Sequence, residues 1–410
     1  MTRPPRVLIV SRLFPPEVSA GAFRLGALAR SLVQRRHAVR VQTTVPPAHA
    51  PRIADATGVD VRRWPVLRDA GGNVRGYLQY MSFDVPLIVR MLCTRFDAVV
   101  AESPPTTGLV ATFIAWVKRS AVVYYAADVW TDGVISMGAP RPVVTVMRAM
   151  ERAVLRRAHA IISVSDGVTE RLTLLGADPA RITTVGNGID TDVFSPDVLP
   201  ASEERYFVYT GTMSEWQEPD VFIRAFAQLA EEHPDVRLRF FGQGAVEEKL
   251  RGVAQELVPG RVEFGGVIEP ASSASWIRGA VASLVSIVPG IGYDFARPTK
   301  TYAAAAVGTP VLFAGPEAGS TLVRDGELGY AAEFTVDAIA DAMRLLLEEA
   351  DNGESEARRA DRARWARENV SLRAVADRVT TVISQVLQAR TSTLEPAVEE
   401  ISPSNERADT

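Results

Sequence analysis

Short apolar runs alternate with amphipathic stretches along most of this 410-residue chain. Residues 6–10 read as a buried strand, a proline-bearing loop spans 11–21, and apolar positions at helical spacing cover 22–34. The strand theme returns at 39–43, 98–101, 121–125, 160–164 and 182–185. Residues 191–204 read as a linker, after which the pattern restarts with strands at 206–209, 236–241, 262–264, 282–286, 310–313 and 329–332 and a helix at 221–232. Strands separated by helices predict parallel, doubly wound sheets, here two α/β domains in series. The expected divisions are 1–195, 196–365, a helical segment 366–390 that packs back on the first domain, and a polar, acidic, disordered tail 391–410.

Composition adds limits. An apolar fraction of 47% with 23% charged residues is that of a soluble globular protein. The start carries no secretory pattern, and no apolar run approaches the roughly 20 residues of a membrane span. The single cysteine, Cys93, excludes a disulfide framework and fits a reducing cytoplasm, and four scattered histidines make no metal cluster. Residues 1–195 hold 24 Lys and Arg against 15 Asp and Glu, and the remainder holds 21 against 34. A basic half beside an acidic half predicts that the first faces something anionic, a lipid surface or a phosphorylated acceptor; solvated helix faces explain it equally well. The basic residues carry no nucleic-acid-reading motif. Residues 77–95, with Tyr80, Met81, Phe83, Leu87, Ile88, Met91 and Leu92, form either a membrane-surface helix or an ordinary core-facing one.

Candidate chemistry sits at strand ends. Ser19, Ala20 and Gly21 precede a helix, where backbone N–H groups can approach a pyrophosphate; a tight turn is the plain alternative. No GxGxxG follows a strand, which disfavours dinucleotide binding. Gly211-Thr212 and Gly242-Gln243-Gly244 end strands of the second half, and Gly186-Asn187-Gly188 makes a turn at the expected cleft floor. Arg297, Thr299 and Lys300 open an alanine-rich helix, where an ammonium and free helix N–H groups make a diphosphate clamp. Lys300 is one of three lysines among 42 arginines. Glu102, Ser103, Asp128 and Trp130 fall at the carboxyl edge of the first sheet, where ligands of open α/β sheets bind. A carboxylate such as Asp128 can accept a proton or bind sugar hydroxyls there, or simply cap a helix.

Taken in order, these pieces resemble the family 4 retaining glycosyltransferases of the GT-B fold, in particular the branch that builds bacterial surface polysaccharides. The resemblance covers residues 6–387. It rests on Pro15-Pro16-Glu17, Ser103-Pro104-Pro105, Asp128-Val129-Trp130, Asn187 to Asp190, Gly242-Gln243-Gly244 and Pro298-Thr299-Lys300 leading to Gly308-Thr309-Pro310. It implies two Rossmann-like domains with an interdomain cleft. The first would hold a small-molecule or lipid-linked acceptor near Glu17, Glu102, Ser103, Asp128, Trp130 and Asn187. The second would hold a nucleotide-diphosphate sugar through Gly211, Thr212, Gly242, Gly244, Arg297, Thr299 and Lys300, with Gly21 reaching in from the first.

Lys300 and Asp128 would carry the chemistry. The implied reaction is hexosyl transfer with retention and no metal or other cofactor. The cysteine count places the protein in the cytoplasm, and the basic half is a candidate for peripheral contact with the inner membrane face. Three departures stand out. Ala303 occupies the place of a ribose-binding Glu, an anchor worth about 1–3 kcal/mol. Thr212 and Gln217 stand where many members carry Arg and Lys, and Asp128 replaces a His. The last change fits the polysaccharide branch, whereas Ala303, Thr212 and Gln217 also suit a different class, a catalytically silent GT-B protein acting as a partner or scaffold.

Overall fold

Alternate residues of the first strand point into two different cores. The computed structural model describes residues 3–394 apart from 18, 48–49, 51–53, 70–73, 75 and 137. In β1 (Arg6–Val10), Val7 and Ile9 enter one hydrophobic cluster while Leu8 and Val10 enter another. A strand buried on both faces has no reason to alternate apolar with polar, which is why it is a continuous apolar run.

The first sheet adds β2 (Ala38–Thr44), β3 (Val59–Trp64), β4 (Ala98–Glu102), β5 (Ala121–Ala126), β6 (Ala160–Ser163) and β7 (Ile182–Thr184). Its order is β3-β2-β1-β4-β5-β6-β7, parallel throughout. The periodicity did not single out β3. Its sequence, VDVRRW, is half charged because it is an edge strand, and Asp60 pairs Arg40 of β2 at 2.7 Å.

The second sheet repeats the plan. It holds β8 (Tyr206–Thr210), β9 (Arg237–Phe241), β10 (Val262–Phe264), β11 (Ala282–Ser286), β12 (Val311–Ala314) and β13 (Gly329–Ala332), ordered β10-β9-β8-β11-β12-β13. Each sheet therefore reverses direction once, between β1 and β4 and between β8 and β11. That reversal opens a crevice at the carboxyl ends of the strands.

Helix Tyr77–Leu92 runs through Pro86 without breaking. Phe83, Leu87 and Met91 face the core, and Asp84 is buried with them, accepting from Thr107 Oγ at 2.6 Å. Leu78, Val85 and Val89 of the same helix are exposed.

The C-terminal helix Leu372–Leu394 extends beyond the expected end and lies on helix Ala20–Gln34 of the first sheet. Val375, Val379 and Ile383 join that core, and Ser31 Oγ donates to Asp377 at 2.6 Å. The expected disordered tail falls, from residue 395 onward, outside the described residues. The chain thus crosses between the sheets twice, and the crossings touch. Ile189 N donates to Val370 O at 2.8 Å, and Leu372 N donates to Ile189 O at 2.9 Å.

Because Ile383 is fully buried against the first sheet, Ile383→Ala should cost about 2–5 kcal/mol of stability. Chemical denaturation should show the loss, while Leu345→Ala on an exposed helix face should cost well under 1 kcal/mol.

Candidate active site

Two crevices of the same topological origin are filled differently. In the first sheet the reversal point is occupied by protein. Glu102, at the end of β4, is 3% exposed; it accepts from Ser11 Oγ, at the end of β1, at 2.6 Å and from Arg24 Nη2 at 3.0 Å. A Cβ on Gly21 would lie 3.0 Å from that carboxylate. The helix start at Gly21, where a pyrophosphate was expected to approach, thus faces a buried carboxylate that is itself paired with Arg24. Glu17 is likewise engaged, accepting from Arg68 at 2.7 Å and Thr44 Oγ at 3.1 Å. Ser103 N donates to Tyr125 O at 3.1 Å.

The second crevice is open. A pocket of ≈ 340 Å³ is lined by Thr210 and Gly211 after β8, Gly242 after β9, and Thr299, Lys300 and Ala303 of helix Thr299–Val307. Its floor is built by close backbone packing. Gly242, at φ +129°, could carry a Cβ only by placing it 2.0 Å from Gly211 O, and a Cβ on Gly244 would fall 1.9 Å from Met213 O. Gly211 N donates to Phe241 O and Met213 N to Gln243 O. Gly211 and Gly242 thus reach the pocket. Gly244 does not line it, a correction to its expected donor role; it is the contact that seats the 211–213 loop.

Lys300 lies across this floor. Its ammonium donates to Thr212 O at 3.1 Å, approaches Gln217 Oε1 at 3.4 Å, and sits 3.6 Å from the centre of the Tyr209 ring. Among the described residues no carboxylate pairs with it. Burial pushes its pKa well below the ordinary lysine value, because an ammonium loses its hydration there without gaining a counter-ion. Gln217, which stands where the resemblance expects a cation, is 3% exposed and accepts from Tyr209 OH at 2.8 Å, so it positions Lys300 rather than adding charge.

Arg297 is not in this pocket, which corrects its expected place in the clamp. It pairs with Asp166 of the first domain at 3.4 Å and lines a second interdomain cavity with Asn187, Tyr302 and Arg378. Asp128 and Trp130 line a third, opposite Tyr293 and Phe295 from the second domain. Asp128 has its pKa raised, first by desolvation and then by Glu102, with Arg24 opposing. Trp130 N and Thr131 N both donate to the buried Glu151 at 2.9 Å, which fixes the 130–136 helix beside Asp128.

Sequence reasoning missed Tyr293 and Phe295. The Phe295 ring rests on Gly167 so closely that a Cβ there would meet it at 2.2 Å. It also missed Phe194, which closes the donor-side pocket from the segment read as a plain linker, next to Ile189 of the loop expected at the cleft floor.

The geometry matches known proteins. A Glycosyl transferase 4-like domain matches residues 20–188, and a Glycosyl transferases group 1 domain matches 204–349. The chain belongs to the family 4 glycosyltransferases. D-inositol 3-phosphate glycosyltransferase of Nocardioides sp. is 28% identical over 246 residues, 54% of this chain and 53% of the relative. The same-named protein of Mycobacterium tuberculosis is 32% identical over 183 residues, 41% of this chain and 36% of the relative. The chain spans about half the length, or less, of these curated relatives.

Among solved structures, sucrose-phosphate synthase from Thermosynechococcus elongatus aligns at TM-score 0.66 and 17% identity over 94% of this chain and 100% of that one. WaaG, a glycosyltransferase involved in lipopolysaccharide biosynthesis, aligns at 0.58 and 16% over 92% and 99%. Anabaena HepE in complex with UDP and glucose aligns at 0.58 and 15% over 92% and 99%. These likenesses establish the GT-B fold.

Since Gly242 needs both a positive φ and the room taken by Gly211 O, Gly242→Ala should lower stability by roughly 2–4 kcal/mol. Denaturant titration should report that loss, and Gly252→Ala, with no atom within 4 Å of its Cβ, should not share it.

Proposed function

We propose that this protein transfers a hexosyl group from a nucleotide-diphosphate sugar to a hydroxyl acceptor with retention of configuration and without a metal. One observation carries the reading: the half-buried ammonium of Lys300, paired with no carboxylate among the described residues, lies at the open crevice beside the backbones of Gly211 and Gly242. A diphosphate supplies the missing counter-charge, and the N-terminus of helix Thr299–Val307 adds its dipole. Complexes of the aligned HepE structure with UDP and glucose support the donor class.

The acceptor hydroxyl would lie by Asp128, between Trp130 and Tyr293. Its oxygen forms the new bond to the anomeric carbon on the face from which the diphosphate departs. The bond from that carbon to the phosphate oxygen breaks, and the acceptor proton passes to the departing phosphate. The protein's part is to hold the reactants in line and to neutralise the leaving anion, for which Lys300 is the full positive charge among the described residues lining the pocket.

A second reading has its own observation. Ala303 lines the pocket with a methyl group where a carboxylate would grip ribose hydroxyls, which suits a silent homologue. Calorimetry with UDP, GDP and their sugars separates the two: absence of binding by every nucleotide at millimolar concentration supports the silent protein.

Bound diphosphate should raise the Lys300 pKa back toward its ordinary value. Binding should then take up protons between the free and bound pKa values, and affinity should fall as pH rises through that window. Titrations in buffers of differing ionisation heat should detect the uptake, and Lys300→Met should abolish both uptake and turnover. Asp128→Asn should reduce turnover about 100-fold, with EDTA present throughout. It should also remove an acidic limb of the pH profile that lies above the ordinary carboxylate range.

A further inference from the structure

Three helices cover one face of the first sheet side by side: Tyr77–Leu92, Pro105–Val117 and Arg141–Arg157. Their inner residues, including Phe83, Ile114 and Val154, share one core with β1, β4 and β5. Their outer surface is unusual in two ways.

It exposes large apolar side chains where the helices end. Val89 is 62% exposed, Phe113 58% and Trp116 74%. An apolar groove of ≈ 430 Å³ runs between Leu109, Phe113 and Trp116, with Arg157 at its margin. It is also almost free of acid. Residues 77–96, 105–120 and 141–158 contain nine Lys and Arg and two carboxylates, Asp84 and Glu151, and both carboxylates are buried. Arginines elsewhere in the first domain are mostly paired, as Arg6 with Asp97, Arg40 with Asp60 and Arg171 with Asp132. Among the described residues, Arg95, Arg119, Arg156 and Arg157 have no acidic partner.

These four arginines precede β4, β5 and β6, which are adjacent strands, so they gather at the amino-terminal edge of the sheet. Leu92, Trp116 and Val117 stand immediately before them. The result is an apolar knob ringed by unneutralised cations, at the opposite end of the strands from the cleft.

We infer that this corner docks on a bilayer containing anionic lipid, with Phe113 and Trp116 inserted among the acyl chains and the arginines at the headgroups. Burial of exposed apolar area and attraction to lipid phosphates act together in such a contact. A second copy of the chain fits less well. An isologous dimer through this face would press the same cations against their own copies, and the acid described nearest this edge, Asp97, is already paired with Arg6. The proposal does not depend on glycosyl transfer, because its readout is binding.

The test is flotation of the full chain with vesicles of phosphatidylcholine and phosphatidylglycerol at 70:30, and with phosphatidylcholine alone. Recovery with the anionic vesicles should exceed recovery with the neutral ones at least about tenfold. Phe113→Ser/Trp116→Ser should weaken binding roughly tenfold. Arg156→Gln/Arg157→Gln should weaken it about fivefold per residue, the equivalent of ~1 kcal/mol each. All four side chains are exposed, so unchanged melting curves will certify that the variants are folded. Equal recovery with and without phosphatidylglycerol, or variants that float like the parent, would overturn the proposal. So would a dimer in sedimentation that is dissolved by Phe113→Ser/Trp116→Ser in a protein that ignores vesicles.

Discussion

The ammonium of Lys300 lies over an aromatic ring at the wall of an open pocket, and among the described residues a carbonyl and an amide oxygen are its close polar contacts. A cation in that state is costly unless an anion arrives, so the protein stores an unmet electrostatic demand at one point. Much of the second domain serves to keep that point open. Gly211, Gly242 and Gly244 let two strand-end loops touch backbone to backbone, which brings the floor within reach of Lys300 without a side chain in the way. Gln217 fixes the ammonium sideways, and Tyr209 lies beneath it.

The first domain shows what happens when the same topology is built without that demand. Its reversal point has the same strand order, yet Glu102, Ser11 and Arg24 fill it and hydrogen-bond to one another. Fold alone therefore does not make a site. The division of labour between the domains comes from a few side chains at equivalent places: a carboxylate already satisfied in one, an ammonium left waiting in the other. Domain-wide charge does not forecast this, since the open pocket with the carboxylate-free lysine lies in the acidic half.

Most of the architecture was legible because buried parallel strands are continuous apolar runs, and both sheets are made of them. β3 escaped because an edge strand half exposed to water carries Arg62, Arg63 and Asp60. The position of Lys300 at a helix start was readable from its neighbours, but its sideways path to Thr212 and Gln217 was not, since those residues lie 88 and 83 positions away in sequence. Arg297 looked equivalent in sequence, and only the domain interface shows that Asp166 holds it elsewhere. Tyr293 and Phe295 carried no signal beyond being aromatic in a glycine-bearing loop. Gly167, the residue that admits Phe295, lies in the other domain.

The two chain crossings at Ile189 and Leu372 have a mechanical consequence. Because they are hydrogen-bonded to each other, the lobes are joined along a single seam and not at two separated points. Sliding one lobe past the other would tear those bonds, whereas swinging about the seam preserves them. Any gape of the molecule is thus a door on one hinge line, and Asp128 and Lys300 must approach or part along an arc that this line dictates.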